Sequence, residues 1–355
     1  MPKVLIVGSG GVGAMAALSL SLNNKCDVTL VVRSDYDVVS SSGYTINSVT
    51  YGDFTAWKPH NIVRSVADAA ANGPYDYVVL TTKNIPDGRM TCEEIIQPAV
   101  TDGLTTIVLI QNGIDIEKPM IKQFPHCVIL SGVSLIGSAN VNCVVKNSHK
   151  DIIFLAPFDN PNMDTQLAQE KTRQFAELYQ NANKDINTVV IEESAGRSRW
   201  EKLVNNSVFN PVTAITGLDI NRCQINDANN GLFRPAMDEV YAIAASEGVT
   251  IDPAARDKFL HVADGSFFKS SMLVDLNKSQ LMELEVILGN PLRIAARNGV
   301  ATPILSTLYE MLKMAQFRTK EKIGMVKVTE SRYVGRNSDD YEEIFAAENT
   351  DRENL

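Results

Sequence analysis

The sequence predicts two domains of different fold class, an α/β domain with a parallel sheet followed by an all-α domain. The chain opens with a short apolar run at residues 4–7, a glycine-rich turn and a helical stretch. Later strands are apolar throughout, which is typical of a sheet covered on both faces. From about Ser194 onward, apolar residues recur at helical spacing. We therefore expect the α/β domain at 1–192, the helical domain at 193–330 and a tail at 331–355.

Size and composition are those of an ordinary globular protein. The 355 residues suffice for two hydrophobic cores, with 45% hydrophobic and 21% charged residues. No apolar run approaches the roughly 20 residues of a membrane helix, and a first strand at Lys3 leaves no room for a signal peptide. The five cysteines are scattered and form no C-x-x-C pair, as in reduced proteins. We therefore expect a cytoplasmic protein and, because the four histidines show no metal-ligand spacing, no metal site.

The net charge of −9 is concentrated at the end of the chain. Residues 337–355 contain seven acidic side chains and one basic side chain, Arg352. Such a composition predicts a disordered acidic tail. The rest of the chain has no basic patch, which argues against a nucleic-acid-binding protein.

The first strand, turn and helix form a nucleotide-binding pattern. Residues 8–13 read G-x-G-x-x-G between the strand at 4–7 and the helix that begins near Ala14, and a second strand follows at 27–32. Glycines in this context let the backbone approach a pyrophosphate, which then lies at the positive end of the helix. We therefore predict a Rossmann-type dinucleotide-binding domain. The candidate cofactor residues in the turn are Gly8, Ser9, Gly10, Gly11, Val12 and Gly13.

The end of the second strand predicts which dinucleotide is bound. NAD-binding chains usually place an acid there to bond the ribose 2′-hydroxyl. This chain has Arg33 and then Ser34, while Asp27 lies at the opposite end of the strand. A guanidinium matches a phosphate bidentately, so we predict NADPH/NADP+ as the cofactor. The alternative is that Arg33 is only a solvated residue at the end of a strand.

Two further strand ends carry polar residues. Lys83 follows the apolar strand at 77–80, and Asn112 follows the apolar strand at 106–110. Ligands of open α/β sheets lie beyond the carboxyl ends of the strands, so both residues are candidate cofactor contacts. Ordinary turn chemistry is the alternative for each. A short strand at 128–130 and more exposed strands within 141–157 and 187–191 complete the predicted domain.

The second half of the chain predicts amphipathic helices. One apolar stripe runs from Leu232 to Ala244, and another begins at Leu281. Thr302 and Pro303 predict an N-cap and a first-turn proline that open a third helix.

A line of polar residues lies inside an apolar helical segment. Lys202, Asn206 and Asn210 are spaced four residues apart, which places them on one helix face. Unpaired buried polar groups are costly, so either the protein or a bound polar ligand must supply partners. Pro211 is expected to kink or stop the helix, which would take Asn210 out of the line.

Six motifs follow one another along the chain. They are Gly8–Gly13 with Arg33, Thr-Thr-Lys83, Gln-Asn112-Gly, Arg199-Trp-Glu-Lys202 with Asn206 and Asn210, Ser270-Ser-Met, and Glu283-Leu-Glu. This ordered set resembles the ketopantoate reductase family over roughly residues 3–315. The segment around Lys202 is the most specific single motif, and the whole set is more specific than any one motif.

The resemblance implies a reaction and a set of site residues. Family enzymes reduce the ketone of 2-dehydropantoate to (R)-pantoate with NADPH, on the route to pantothenate. Lys202 would be the general acid, and Glu283 would bind the substrate hydroxyl. Asn206 and Asn210 would contact the substrate or the cofactor, and Ser271 would bind the substrate carboxylate. Lys83 and Asn112 would lie near the nicotinamide end of the cofactor, and Arg33 would lie at its 2′-phosphate.

The chemistry agrees with that assignment. Hydride addition to a ketone develops an alkoxide, which needs a proton or a strong donor as it forms. The structural alternatives are an ion pair of Lys202 with Glu201 or Glu283, a capping role for Ser271 and a solvated carboxylate at Glu283.

Three other functions stay open at this stage. The first is a broader carbonyl reductase on the same scaffold, because this chain is longer than compact bacterial members. The second is a non-catalytic NADP-binding regulatory protein, and the third is a β-hydroxyacid or 6-phosphogluconate-type dehydrogenase. The expected partners are a small 2-oxo acid or ketone and, as an oligomer, a second copy of the chain.

Overall fold

The computed structural model describes residues 1–267 and 269–350. The chain divides into two compact units, the first comprising 1–84 with 92–199, the second comprising 85–91 with the chain from Trp200 onward. The division after Arg199 lies seven residues beyond the expected boundary at 192, because the first turn of a long helix is bonded to the first unit.

Two sheets make up the β-structure of the first unit. The larger has the order β12-β11-β8-β7-β6-β1-β2-β5, and the smaller has the order β4-β3-β10-β9. The strands are β1 (Lys3–Val7), β2 (Asp27–Val31), β3 (Tyr44–Ser48), β4 (Gly52–Trp57), β5 (Asn61–Val63), β6 (Tyr77–Leu80), β7 (Thr106–Leu109), β8 (Ile129–Ser134), β9 (Ser138–Val141), β10 (Val144–Asn147), β11 (Asp151–Pro157) and β12 (Asn187–Ile191).

The larger sheet has the strand order of a dinucleotide-binding fold. From β5 to β8 all neighbours are parallel, whereas β11 runs antiparallel to β8. The chain builds outward from β1 in one direction and then restarts at β6 on its other side. This reversal between β1 and β6 is the topological switch point, where such sheets bind ligands. The predicted Rossmann-type domain is confirmed.

The helices of the first unit are α1 (Gly11–Leu22), α2 (Tyr36–Ser42), α3 (Val66–Ala70), α4 (Cys92–Ile96), α5 (Glu117–Gln123) and α6 (Thr165–Tyr179). Helix α1 is buried continuously from Gly13 to Leu20. Strands β1 and β2, α6, and β9 and β10 of the smaller sheet all contact it. A helix covered on several sides has no polar face, and the polar residues of α1 are only Ser19 and Ser21.

The smaller sheet was only partly expected. The sequence predicts exposed strands within 141–157, but β10 pairs with β3 and β9, while β11 joins the larger sheet. The pairing of β10 with β3 joins segments about 100 residues apart, which no local pattern predicts.

The described residues of the second unit form helices and no strand, which agrees with the predicted all-α class. They also include two π-helical turns, at Asn229–Phe233 and Glu285–Gly289. The helices are α7 (Gly196–Thr216), whose first turn belongs to the first unit, α8 (Ile220–Ile225), α9 (Arg234–Ser246), α10 (Ala255–Leu260), α11 (Ser271–Asn277), α12 (Asn290–Asn298), α13 (Pro303–Lys322) and α14 (Tyr341–Asn349). No helix among the described residues is long and apolar enough to cross a bilayer.

The π-turns precede α9 and α12, each of which carries a proline at its second residue. Proline has no N–H group and its ring clashes with the carbonyl four residues earlier. The residue before each proline donates instead to a carbonyl five residues back, Arg234 to Asn229 and Asn290 to Glu285. The wider turns let the helical backbone continue into Pro235 and Pro291.

Helix α13 begins at Pro303 as expected, but Thr302 is not its capping group. The Thr302 side chain makes no capping hydrogen bond and lies 3.2 Å from the Ser306 hydroxyl. The N–H groups of Ile304 and Leu305 each donate to the Glu239 carboxylate of α9, at 2.9 Å. A carboxylate at a helix N-terminus satisfies these donors and complements the helix dipole.

The expected disordered tail contains ordered structure up to Thr350. Helix α14 stacks Phe345 against Phe317 of α13, with ring centroids 5.3 Å apart. The Asn349 side chain accepts a hydrogen bond from the Lys327 N–H and donates to its carbonyl, at 2.8 and 3.0 Å. A few such contacts stabilise a helix whose overall composition is that of a disordered segment. Residues 351–355 lie outside the described residues.

Replacing Glu239 tests the cap of α13. Glu239→Ala removes both acceptors, so we expect the free energy of unfolding to fall by about 1–2 kcal/mol, as for other N-caps. Urea denaturation followed by circular dichroism measures it. The control is Glu310→Ala on α13, whose exposed carboxylate pairs with Lys313 and should contribute below about 0.5 kcal/mol. Equal losses in the two variants would contradict the capping role.

Candidate active site

The glycine-rich turn joins β1 to α1 beside the switch point. Gly8 has φ +117°, and a Cβ there would lie 2.6 Å from the Thr81 Oγ1 and 2.7 Å from the Thr82 N. A Cβ on Gly13 would lie 1.9 Å from the Gly8 carbonyl oxygen. These two glycines are therefore required by the packing of β1, α1 and the end of β6.

Gly10 differs, because the protein itself does not require a glycine there. Its φ of −69° and ψ of −172° suit any residue, and a Cβ would meet no atom within 4 Å. The first turn of α1 contains no acidic side chain, and its first N–H groups lack intrahelical acceptors. Open space beside such a turn fits the close approach of a pyrophosphate. A dinucleotide held by Ser9, Val12 and the glycines fits these observations.

Arg33 lies just beyond β2, the strand next to β1. Its side chain is exposed and makes no hydrogen bond or ion pair with any described residue. The neighbouring Ser34 hydroxyl donates to Asp35 at 3.2 Å, and Asp37 is paired with Arg64 at 2.6 Å. The nearby carboxylates therefore do not neutralise Arg33, which leaves its guanidinium able to bind a phosphate.

Lys83 and Asn112 follow the neighbouring parallel strands β6 and β7. Lys83 is exposed and Asn112 is half-buried. Two residues beside them organise this edge, and neither was a candidate in the sequence analysis. Thr81 Oγ1 donates to the Gly8 carbonyl at 3.0 Å, and the buried Gln111 Nε2 donates to the Thr82 carbonyl at 2.7 Å. The loops after β1, β6 and β7 are thus joined by side-chain hydrogen bonds.

Arg199 is buried at the start of α7, and the sequence indicated no separate role for it. It lies in the first turn of α7, is 5% exposed, and stacks 5.0 Å from the Phe158 ring. Its Nη1 donates to the carbonyls of Gln111 and Gly113 at 3.0 Å each. Its Nη2 donates to the Leu109 carbonyl at 3.2 Å, and its Nε donates to the Ser131 hydroxyl at 2.7 Å.

This guanidinium fixes the loop that carries Asn112. Burial lowers the pKa of Arg199 to about 10, and the negative charge of Glu117 opposes part of that shift. Arg199 is therefore still protonated near neutral pH. Burial also raises the pKa of Glu117 above its usual value. The sequence around Arg199 is polar apart from Trp200, so it gave no signal that this arginine is buried or which carbonyls it binds.

Helix α7 continues through Pro211 to Thr216, so the proline does not end it. The hydroxyl of Thr213 donates to the Phe209 carbonyl at 2.7 Å and also approaches the Asn210 carbonyl at 3.1 Å. Pro211 offers no N–H to the Ser207 carbonyl four residues earlier, yet the helix continues through it. Lys202, Asn206 and Asn210 consequently lie on one uninterrupted helix.

Asn210 and Ser271 lie together. Asn210 is buried, and its Nδ2 donates to the Ser271 hydroxyl at 3.2 Å. Ser270, not Ser271, caps α11, because the Ser270 hydroxyl accepts from the Leu273 N–H at 3.3 Å. Ser271 is therefore not the residue that caps α11. Its side chain is exposed and accepts the hydrogen bond from Asn210.

Glu283 is 6% exposed, and hydrogen bonds hold the backbone of the preceding residue, Met282. The buried Gln316 of α13 accepts from the Met282 N–H at 3.0 Å and donates to the Met282 carbonyl at 3.1 Å. Gln316 Nε2 also lies 3.3 Å from Asp87, which pairs with Lys320 at 2.8 Å. Gln316 was not identifiable from sequence, since its role depends on a backbone segment 34 residues away.

Replacing Arg199 tests its structural role. Arg199→Ala leaves three carbonyls and a hydroxyl without their donor, so we expect the free energy of unfolding to fall by roughly 3 kcal/mol or more. Arg199→Lys should recover only part, because one ammonium cannot reproduce the planar fork. Chemical denaturation measures both. The control is Arg173→Ala, at an exposed position of α6, and a loss there as large as in Arg199→Ala would refute the assignment.

Two family models match this chain. Residues 4–160 match "Ketopantoate reductase PanE/ApbA", and residues 195–316 match "Ketopantoate reductase PanE/ApbA C terminal". Together they cover well over half of the chain.

Individual relatives agree in sequence and in fold. The chain is 43% identical over 353 residues to the Saccharomyces cerevisiae "Uncharacterized protein YDL144C", covering 93% of this chain and 98% of that one. A solved 2-dehydropantoate 2-reductase from Methylococcus capsulatus has a TM-score of 0.75 at 30% identity, covering 89% of this chain and 97% of its own. A D-mandelate dehydrogenase solved with NADH and anilino(oxo)acetate has a TM-score of 0.74 at 20% identity, with 90% and 99% covered, and shares the fold. The chain therefore belongs to the ketopantoate reductase family, whose members are oxidoreductases of the CH–OH/C=O class.

Proposed function

We propose that this protein reduces the ketone of a 2-oxo acid with NADPH, and that 2-dehydropantoate, which would give (R)-pantoate, is the best single substrate. The observation that carries the proposal is the polar line on α7, in which Lys202, Asn206 and Asn210 occupy one uninterrupted helix. The Ser271 hydroxyl meets this line at Asn210. An ammonium, two amides and a hydroxyl are donors suited to a substrate rich in oxygen acceptors.

The residues have distinct roles in this proposal. The reduced nicotinamide would supply the hydride that adds to the carbonyl carbon. Lys202 donates to the carbonyl oxygen and transfers a proton as the alkoxide develops. Ser271 and Asn210 bind the carboxylate, Asn206 positions the substrate or cofactor, and Glu283 accepts a hydrogen bond from the substrate hydroxyl.

The cofactor proposal rests on the first unit. Gly10 leaves open space beside the helix N-terminus, and Arg33 offers an unneutralised guanidinium beyond β2. We propose that Arg33 binds the 2′-phosphate with Ser34 beside it, and that Lys83 and Asn112 lie at the nicotinamide end. A related fold has been solved with NADH, so the choice of cofactor depends on the residues after β2 and not on the fold.

Removing the ammonium tests the catalytic proposal. Lys202→Ala should lower kcat for 2-dehydropantoate by at least about 100-fold, the usual size of an acid–base contribution. NADPH oxidation at 340 nm measures it, and the Kd for NADPH should change little. Lys278→Ala, at an exposed position just after α11, is the control and should keep its kcat. A normal kcat in Lys202→Ala would remove this residue from the mechanism.

Removing the guanidinium tests the cofactor proposal. Arg33→Ala should raise the Kd for NADPH at least about 10-fold and leave the Kd for NADH unchanged, because only NADPH carries the 2′-phosphate. Isothermal titration calorimetry measures both constants. Arg173→Ala, at an exposed position of α6, removes the same charge as a control. Equal weakening of NADPH and NADH by Arg33→Ala would contradict the assignment.

A panel of carbonyl compounds separates the alternatives. Turnover of 2-dehydropantoate above other 2-oxo acids supports the proposed substrate, whereas a preference for neutral ketones indicates a broader carbonyl reductase. Binding of NADPH without turnover of any compound indicates a regulatory protein. Oxidation of β-hydroxyacids or 6-phosphogluconate with NADP+ indicates the dehydrogenase alternative. A cytoplasmic location, a homodimer and a place in pantothenate synthesis remain predictions.

A further inference from the structure

Strand β9 of the smaller sheet contacts the glycine-rich turn directly. Ser138 and Asn140 are partly buried, whereas Ala139 and Val141 are exposed, so the first pair faces the turn. The Asn140 Nδ2 donates to the Ser9 carbonyl at 2.8 Å. A Cβ on Gly11 would lie 2.6 Å from the Ser138 carbonyl oxygen. Gly11 is therefore required by β9, not by a nucleotide.

The hydrogen bond from Asn140 orients a peptide group. The Ser9 carbonyl and the Gly10 N–H belong to one planar trans peptide, in which these two groups point in opposite directions. Because Asn140 holds the carbonyl toward the smaller sheet, the Gly10 N–H points away from that sheet. This N–H makes no hydrogen bond within the described residues. It belongs to the residue whose Cα borders open space.

Buried polar atoms lie beside this contact. The Ser138 hydroxyl and the Asn140 Oδ1 are buried and have no hydrogen-bond partner among the described residues. Burial raises the pKa of Tyr44 well above its usual range, and a hydrogen bond with the Ser9 side chain offsets part of that rise. Asn140 therefore engages the turn through its amide nitrogen, while its Oδ1 stays buried on the other side of the amide.

We propose that Asn140 is a positioning residue of the pyrophosphate site, an inference that rests on the proposed nucleotide cofactor. By holding the Ser9 carbonyl, the Asn140 amide directs the Gly10 N–H toward the phosphate before the nucleotide arrives. Preorganised donors lose less conformational freedom on binding. The smaller sheet, which adds nothing to the strand order of the dinucleotide fold, thereby contributes to affinity for the diphosphate and not for the 2′-phosphate.

Three nucleotides distinguish the parts of the cofactor site in a titration experiment. NADPH carries both the diphosphate and the 2′-phosphate, ADP-ribose carries only the diphosphate, and adenosine 2′-monophosphate carries only the 2′-phosphate. Asn140→Ala should raise the Kd of NADPH and ADP-ribose by the same factor, about 10-fold for one lost hydrogen bond. The Kd of adenosine 2′-monophosphate should stay within about twofold.

Matched variants separate positioning from damage to the fold. Arg33→Ala should show the reverse pattern, weakening NADPH and adenosine 2′-monophosphate but not ADP-ribose. Asn47→Ala, on the exposed face of the same sheet, should change none of the three constants. Asn140→Asp keeps the side-chain shape but places a carboxylate against the Ser9 carbonyl. It should weaken ADP-ribose more than Asn140→Ala does, and it serves as the test if the alanine variant does not fold.

The outcomes are distinguishable from failure of the proposed function. If the native chain binds ADP-ribose and the Asn140 variants bind it equally well, the positioning role is wrong while the cofactor assignment stands. Weakening of adenosine 2′-monophosphate to the same extent as ADP-ribose would also overturn the inference, because it would indicate general damage. If the native chain binds neither NADPH nor ADP-ribose, the cofactor proposal fails and the inference fails with it.

Discussion

The hydrogen bonds of the Arg199 guanidinium are the constraint on which the strand-end loops of the first unit depend. One buried cation collects three backbone carbonyls from the end of β7 and the loop after it, together with the Ser131 hydroxyl. These carbonyls would otherwise be buried acceptors without donors, which is costly. The same residue occupies the first turn of α7, which belongs to the first unit. A single side chain thus fixes the loop that carries Asn112.

The cofactor turn shows how four glycines in one motif serve different physical purposes. Gly8 and Gly13 allow β1, α1 and Thr81 to pack closely, and Gly11 allows β9 to approach. Only Gly10 has no such neighbour, which is why its missing side chain is best explained by a ligand. On the side of the smaller sheet, the Asn140 amide of β9 donates to the Ser9 carbonyl and so fixes one peptide of the turn.

Local patterns predicted the elements well but not the residues that complete them. The sequence correctly predicted that α13 begins at Pro303. The carboxylate that caps the helix comes from Glu239, 64 residues earlier in the chain. Pro211 predicted an interruption of α7 that is absent, and the residues around it, Val208, Phe209 and Val212, are packed in the core. The acidic composition near the C-terminus predicted disorder, although the Phe345–Phe317 contact and the Asn349 hydrogen bonds hold a helix there.

The amino-acid sequence by itself determined the fold class, the glycine turn, the basic residue after β2 and the line Lys202–Asn206–Asn210, because each depends on spacing within one strand or helix. Tertiary structure decided which distant side chains and backbone groups meet. The pairs are Ser271 with Asn210, Gln316 with Met282, Arg199 with the loop after β7, and Asn140 with Ser9. The partners in these pairs are separated by 34 to 131 residues along the chain. Their hydrogen bonds depend on the pairing of distant segments, for which periodicity and composition carry no signal.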